Sequence, residues 1–423
     1  MLAKSQDGAV AQTAQFPLSF LEFVSLIALL MALTALSIDV MLPALPQIGA
    51  ALGVGGENDR QLVISVYFVG FAAGQFLFGP VSDHWGRKKP LLLGLALYLA
   101  GTVLALSSSS FAGLLAARMF QGFGAAAPRV IALAIVRDRF GGREMARVMS
   151  FVMMVFIVVP ILAPEAGEII LEFSGWRFIF YLLLFVAAGS FVWAFIRLPE
   201  TRRGEDRLPF TATSIWRATK LIVTTRQTFG YMIGMGFVFG LLLSYIISAQ
   251  QVFVDVYGLG SRFPIVFGAI AFFLVAASGL NALFVRRIGM RGVSHRAILA
   301  GLAACAIMAL AGFPEKPPLI PFCAFVAAVF FCFGLIMPNF SALSMDPMSH
   351  IAGTASSLAG FYSTVAGAIF ATLIGRSFNG TVAPLCIGIT LLFIATLVTA
   401  LITERFRLMQ HKAAPAVEMP PAE

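Results

Sequence analysis

The chain has 423 residues, of which 59% are hydrophobic and 12% charged. A soluble domain carries about 25% charged residues and could not bury so much apolar surface, so a soluble fold is excluded and lipid is the solvent. The formal net charge of +9 would suit a nucleic-acid binder, but the Lys and Arg are scattered over many short polar breaks rather than gathered into one basic and aromatic patch.

In chain order, residues 1–18 read as a disordered tail. Apolar windows of about 20 residues, enough to cross roughly 30 Å of hydrocarbon, follow at 19–42, 61–80, 90–108, 112–135, 148–171 and 177–197. The first carries Asp39 and shows no small-residue cleavage site, so it is expected to be an uncleaved helix. A polar linker at 198–227 then separates a second set at 228–252, 264–285, 296–313, 319–342, 352–375 and 382–403. The expected fold is an all-α membrane protein of twelve transmembrane helices in two six-helix bundles, 19–197 and 228–410, with a disordered tail at 411–423. Two equal bundles suit a transporter built from repeats, its site between the halves near the midplane.

Lys and Arg collect on the cytoplasmic side of a membrane protein. Arg87, Lys88 and Lys89, Arg137 to Arg147, the linker, Arg286 to Arg296, and Arg405, Arg407 and Lys412 all fall on one side, against Arg60, Arg177, Arg262, Lys316 and Arg376 on the other. The expected protein is therefore multi-pass in a bacterial inner membrane, with both termini cytoplasmic. Cys305, Cys323, Cys332 and Cys386 lie in apolar windows without a paired Cys or a nearby His, so neither a disulfide nor a metal site is indicated.

Between the second and third windows stands Gly79-Pro-Val-Ser-Asp83-His-Trp-Gly86-Arg87-Lys-Lys-Pro90. Further on come Arg118-Met-Phe-Gln121-Gly122-Phe-Gly124 running to Arg137-Asp138, Asp39 followed by Pro43 and Pro46, Trp176-Arg177 and Ala352-Gly353-Thr354. The first stretch resembles the loop signature of the major facilitator superfamily, and the others resemble its drug:proton antiporters of the Bcr/CflA multidrug efflux branch. The resemblance implies a twelve-helix antiporter that exports drugs at the expense of the proton gradient, with no cofactor. It also implies a cytoplasmic gate of Gly79, Asp83, Gly86, Arg87 and Asp138, in which Asp83 meets the start of helix 11 (residues 349–353) and Arg87 meets Asp138. One stretch departs from the family pattern: Ala163-Pro164-Glu165-Ala166-Gly167-Glu168 places carboxyl groups where small residues are usual.

Proton coupling needs a titrating group inside the barrier, and His84, His295, His350 and His411 all fall in expected cytoplasmic segments. Carboxylates remain, because a charged acid deep in lipid is costly and marks function. Asp39, Arg118, Glu165 and Glu168 fall at similar depth and are expected to form the coupling site, one Arg among three acids. Arg129, eleven residues after Arg118, returns to the same helical face about 16 Å deeper. With Gln121, Tyr245, Gln250, Asn281 and Asn339 it supplies the polar residues of an expected substrate cavity. The expected partners are a small-molecule substrate, protons and the bilayer, the protein acting as a monomer and not as an enzyme. The alternative is export of a metabolite such as an amino acid, short peptide or sugar, for which Arg118 and Arg129 would suit a carboxylate. A channel or membrane-embedded enzyme fits less well, since there is no clustered nucleophile, base and metal set, and no phosphate-binding Gly-rich loop.

Overall fold

The structure is a computed structural model that describes residues 17–56, 58–140, 142–202, 212–311 and 316–409. The side chains of 142, 143, 146, 150, 153–157, 212–215, 218 and 349–354 also lie outside the description, as do most of both expected tails and residues 203–211 of the linker.

With no water to satisfy peptide groups, the spans close their hydrogen bonds within helices. Helix α1 (Phe20–Asp39) starts on Ser19, whose hydroxyl accepts the Glu22 N–H at 3.2 Å. It ends before Pro43 and Pro46, which lack the N–H a continuing helix needs, and the chain goes on through the 3-10 turn Leu42–Ala44 and the short α2 (Leu45–Ala51). Asp39 is thereby left at a helix end rather than one turn inside a continuous span. The rest of the N-terminal half is α3 (Leu62–Trp85), α4 (Lys88–Ser107), α5 (Phe111–Arg139), α6 (Gly142–Phe173) and α7 (Arg177–Arg197).

The linker is not featureless: it carries α8 (Ala212–Thr224). The C-terminal half comprises α9 (Arg226–Gln250), which runs on through a π-helical turn (Gln251–Val256), then α10 (Phe263–Leu310), α11 (Leu319–Met345), α12 (Ala352–Arg376) and α13 (Ala383–Thr403). At 48 residues α10 is too long for one crossing, and Gly289, with φ 71° and ψ 163°, breaks it between the two windows expected there. Ten segments among the described residues are long and apolar enough to cross a membrane. Counting the broken segment twice and adding α6 gives the expected twelve.

Within the N-terminal half α5 is central, packed on α3 and α4, while α1 rests on α6 and α7. In the C-terminal half α9 packs on α11, α12 and α13. The halves meet along two seams, α3 with α12 and α6 with α10. The α3–α5 contact is so close that a Cβ on Gly70 would lie 1.9 Å from the Met119 carbonyl oxygen, and one on Gly122 2.1 Å from that of Tyr67. Small residues let helix backbones touch where no hydrophobic force drives association. Below, the end of the molecule that carries residues 79–90 is called the basic face.

Candidate functional site

Arg118 is fully buried, and three of its five N–H donors go to neutral acceptors. Its Nε reaches the Val63 carbonyl at 3.2 Å, Nη1 the Gln121 Oε1 at 2.6 Å and Nη2 the Ser37 carbonyl at 3.1 Å, with the guanidinium 4.5 Å from the Tyr67 ring centre. Gln121 donates in turn to Thr102 Oγ1 at 2.8 Å. Ser37 Oγ donates to the Leu33 carbonyl, so Tyr98 is the donor in the 2.6 Å contact between the two hydroxyls. This cluster ties α1, α3, α4 and α5 together, and it corrects the expectation of an Arg among acids. Arg118 pairs with no carboxylate among the described residues. Gln121, expected in the substrate cavity, serves this cluster instead.

Asp39 is buried and has no hydrogen bond or ion pair among the described residues. The turn that follows it packs against α9 of the other half, and Asp39 lies within electrostatic reach of Tyr245 on that helix. The Tyr245 hydroxyl is itself buried without a hydrogen-bond partner, its ring set against Phe330 and Phe267 at 4.7 and 5.4 Å. Asp39 and Tyr245 thus belong to opposite halves beside this contact. Glu165 and Glu168 do not join them. Glu165 is exposed and Glu168 half-buried, its electrostatic neighbours being Glu172 and Glu165. The reason is Gly167, where a Cβ would lie 2.3 Å from the Val40 carbonyl oxygen, so its side of α6 faces α1. Glu165, two residues earlier, is turned about 200° away at 100° per residue.

The loop between α3 and α4 forms a charged network within one half. Gly86 adopts φ 90°, which turns the chain sharply and favours glycine. Arg87 then reaches back, Nε and Nη2 to the two oxygens of Asp138 at 2.7 and 3.2 Å, Nη1 to Asp83 at 2.8 Å and Ser82 at 2.8 Å. Arg202 meets Asp83 at 2.6 Å. Glu200 accepts the backbone N–H groups of Arg87 and Lys88 at 2.7 and 3.1 Å, capping the start of α4. Ser82, Glu200 and Arg202 were missed from the sequence; an acid just past the end of a span was the available signal for Glu200. Asp83 is occupied by arginines, and the side chains of 349–353 expected opposite it lie outside the description. At Gly79 a Cβ would lie 2.8 Å from Ser357 Oγ of α12, which donates to the Gln75 carbonyl at 2.9 Å.

At the opposite face a polar clasp joins the halves, and nothing in the sequence announced it. Asn58 donates to the carbonyls of Arg376 and Phe378 at 3.0 and 2.9 Å and accepts from Gln251 at 2.8 Å. Gln61 donates to Gln251, Arg60 pairs with Asp255, and Arg376 meets Asp59 at 3.0 Å. Gln250 is buried beside this clasp, its amide donating to Asp255 at 3.4 Å. Asn339 donates to Asn281 at 2.7 Å and to the Leu335 carbonyl, so these two tie α11 to α10 rather than standing as separate anchors. Arg129 is half-buried on α5. His295, expected in a loop, is fully buried in α10, where Nδ1 accepts the Met409 N–H at 3.1 Å.

Comparison with known proteins agrees with this architecture. The chain is 30% identical over 353 residues to an uncharacterized MFS-type transporter of Bacillus subtilis, YdgK, covering 83% of this chain and 87% of that one. It is 29% identical over 367 residues to a bicyclomycin resistance protein homolog of Haemophilus influenzae, covering 86% and 91%. Its fold matches a mutant of the nucleoside transporter NupG with a TM-score of 0.69 at 12% identity, over 92% of this chain and 99% of that one. Residues 27–371 match the family model of the Major Facilitator Superfamily. With its broken and paired helices, its α3–α4 loop network and its two seams, this chain belongs to the Major Facilitator Superfamily and is a multi-pass membrane transporter, not an enzyme.

Proposed function

We propose that this protein exports small, largely apolar compounds, drugs among them, by antiport with protons, from the cytoplasm across a bacterial inner membrane. The basic face is cytoplasmic in this reading, both termini with it, and the working unit is a monomer that needs no cofactor beyond the proton gradient. Relatives named for resistance to bicyclomycin and chloramphenicol support the substrate class. So does Arg118, whose committed donors leave it a poor anchor for the carboxylate of a metabolite.

The observation that carries the coupling is Asp39, a buried carboxyl without a cation, at the seam between the halves. A carboxyl so enclosed is stable while it holds its proton, since an isolated charge there would cost several kcal/mol. Opening toward the cytoplasm wets the site, the proton leaves, and substrate takes its place near Tyr245. Opening outward releases the substrate and restores the proton. Everted vesicles with a pH-sensitive dye test this: drugs should collapse an imposed gradient with the wild type and not with Asp39→Asn, which should still insert. Dye recovery equal to the wild type in that variant would remove Asp39 from the mechanism.

A further inference from the structure

Where α13 ends and α9 begins, the basic face holds a cavity of about 340 Å³ lined by Arg226, Gln227, Arg291, Glu404, Arg405 and Arg407. Four guanidinium groups surround one carboxylate, and that carboxylate is already engaged. Glu404 Oε1 accepts from Tyr231 at 2.6 Å and from Arg291 Nε at 2.7 Å. Arg226, Arg405 and Arg407 form no ion pair among the described residues, so the cavity has a surplus of positive charge and of free N–H donors. The backbone adds to it. Helix α9 begins at Arg226 with no side-chain cap from Thr225, leaving first-turn N–H groups for an outside acceptor. Arg405 and Phe406 take left-handed φ of 52° and 59°, a conformation disfavoured for side chains other than glycine. Strain of that kind persists where the surroundings use it, and here it turns the chain so that Arg405 and Arg407 both line the cavity.

Beside the arginines the surface is apolar: Ile402 is 59% and Phe406 74% exposed. A cationic hollow next to greasy side chains, at the end of a membrane span, matches one chemistry, a phosphodiester with acyl chains attached. We propose that this pocket binds the headgroup phosphate of an anionic phospholipid in the leaflet of the basic face, with Ile402 and Phe406 against its chains. A free phosphate would use the arginines but leave those apolar side chains without a role.

Native mass spectrometry of the full chain tests the site, titrating phosphatidylglycerol, phosphatidylcholine or inorganic phosphate into the detergent-purified protein. One phosphatidylglycerol should bind more tightly than the rest, and phosphatidylcholine should show no such first adduct. The double variant Arg226→Gln/Arg407→Gln, both exposed positions, should weaken that first adduct by roughly tenfold or more, each lost surface charge being worth about fivefold. Arg286→Gln/Arg287→Gln, which removes the same charge elsewhere on this face, should leave it within about twofold. Equal loss in both double variants, or no loss in either, would overturn the site. Displacement of the lipid by inorganic phosphate would overturn its assignment to a lipid.

Discussion

Two polar networks sit at opposite ends of α3 and close different joints. At the basic end Arg87, Asp83, Asp138, Glu200 and Arg202 all belong to the N-terminal half and its outgoing linker, so the network stiffens one half and leaves it free to part from the other. At the far end Asn58, Asp59, Arg60 and Gln61 grip Gln251, Asp255 and the end of α12, so that network holds the halves together. The first is built on one buried arginine held bidentate by a carboxylate; the second spreads over amide and carbonyl hydrogen bonds and two separate ion pairs, Arg60 with Asp255 and the more exposed Arg376 with Asp59. A network confined to one half stabilises that half alone, whereas one that spans both sets how firmly they are held together.

The largest effect should come from the first network. Replacing Arg87 with Gln leaves Asp138, about a fifth exposed, without its cation and Asp83, about a quarter exposed, with Arg202 alone, which should cost about 3 kcal/mol, the lower end for breaking a buried pair. Thermal unfolding should show a clearly lower midpoint than the wild type; an unchanged midpoint would mean that the loop does not stabilise its half. Next comes the clasp. Asn58→Ala with Gln251→Ala removes several hydrogen bonds worth about 1 kcal/mol each. Labelling from the clasp face of a cysteine placed at Ser65, beneath the clasp against Thr372, in a background without the native cysteines, should rise tenfold or more. Labelling at the wild-type rate would show that the clasp does not hold the halves.

Acid should separate the ends differently. Burial pushes the Glu404 carboxyl up, but hydrogen bonds from Tyr231 and Arg291 outweigh it and hold the group below its ordinary 4.5. The stability it contributes is therefore present above pH 4.5 and is lost as pH falls through the lower folded value. Glu404→Gln should flatten that part of the pH profile of unfolding, and a profile that keeps its slope would assign the acid sensitivity elsewhere. The smallest effect belongs to Asp59→Asn. Its partner Arg376 is 58% exposed and Asp59 itself 38%, so the pair is worth about 0–1 kcal/mol, and labelling at position 65 should stay within about fivefold of the wild type.

The spans were legible because twenty apolar residues in a row admit few other structures, and the α3–α4 loop because its charges stand at fixed spacing. Asp39 stood out as a charge in an apolar window. Glu165 misled because a carboxyl on a helix does not say which way it faces; Gly167 does, but only once α1 is seen against it. The clasp was invisible for another reason. Asn58 and Gln61 are ordinary loop residues whose partners lie 318 and 190 positions away, and no local pattern records a contact of that range.

The glycine-packed contact between α3 and α5 makes α3 a stiff rod. At 24 residues and 1.5 Å per residue it is about 36 Å long, and it runs from Gln61 at the clasp to Gly86 at the charged loop. Where Tyr67, Gly70 and Gly74 meet the α5 backbone it has little room to bend, so a displacement at one end is passed along this stretch. A side chain added at Gly122 would therefore do its harm at a distance. It would touch neither Asp39 nor the clasp, yet by pushing α3 off α5 at Tyr67 it would loosen the element that links the clasp to the charged loop.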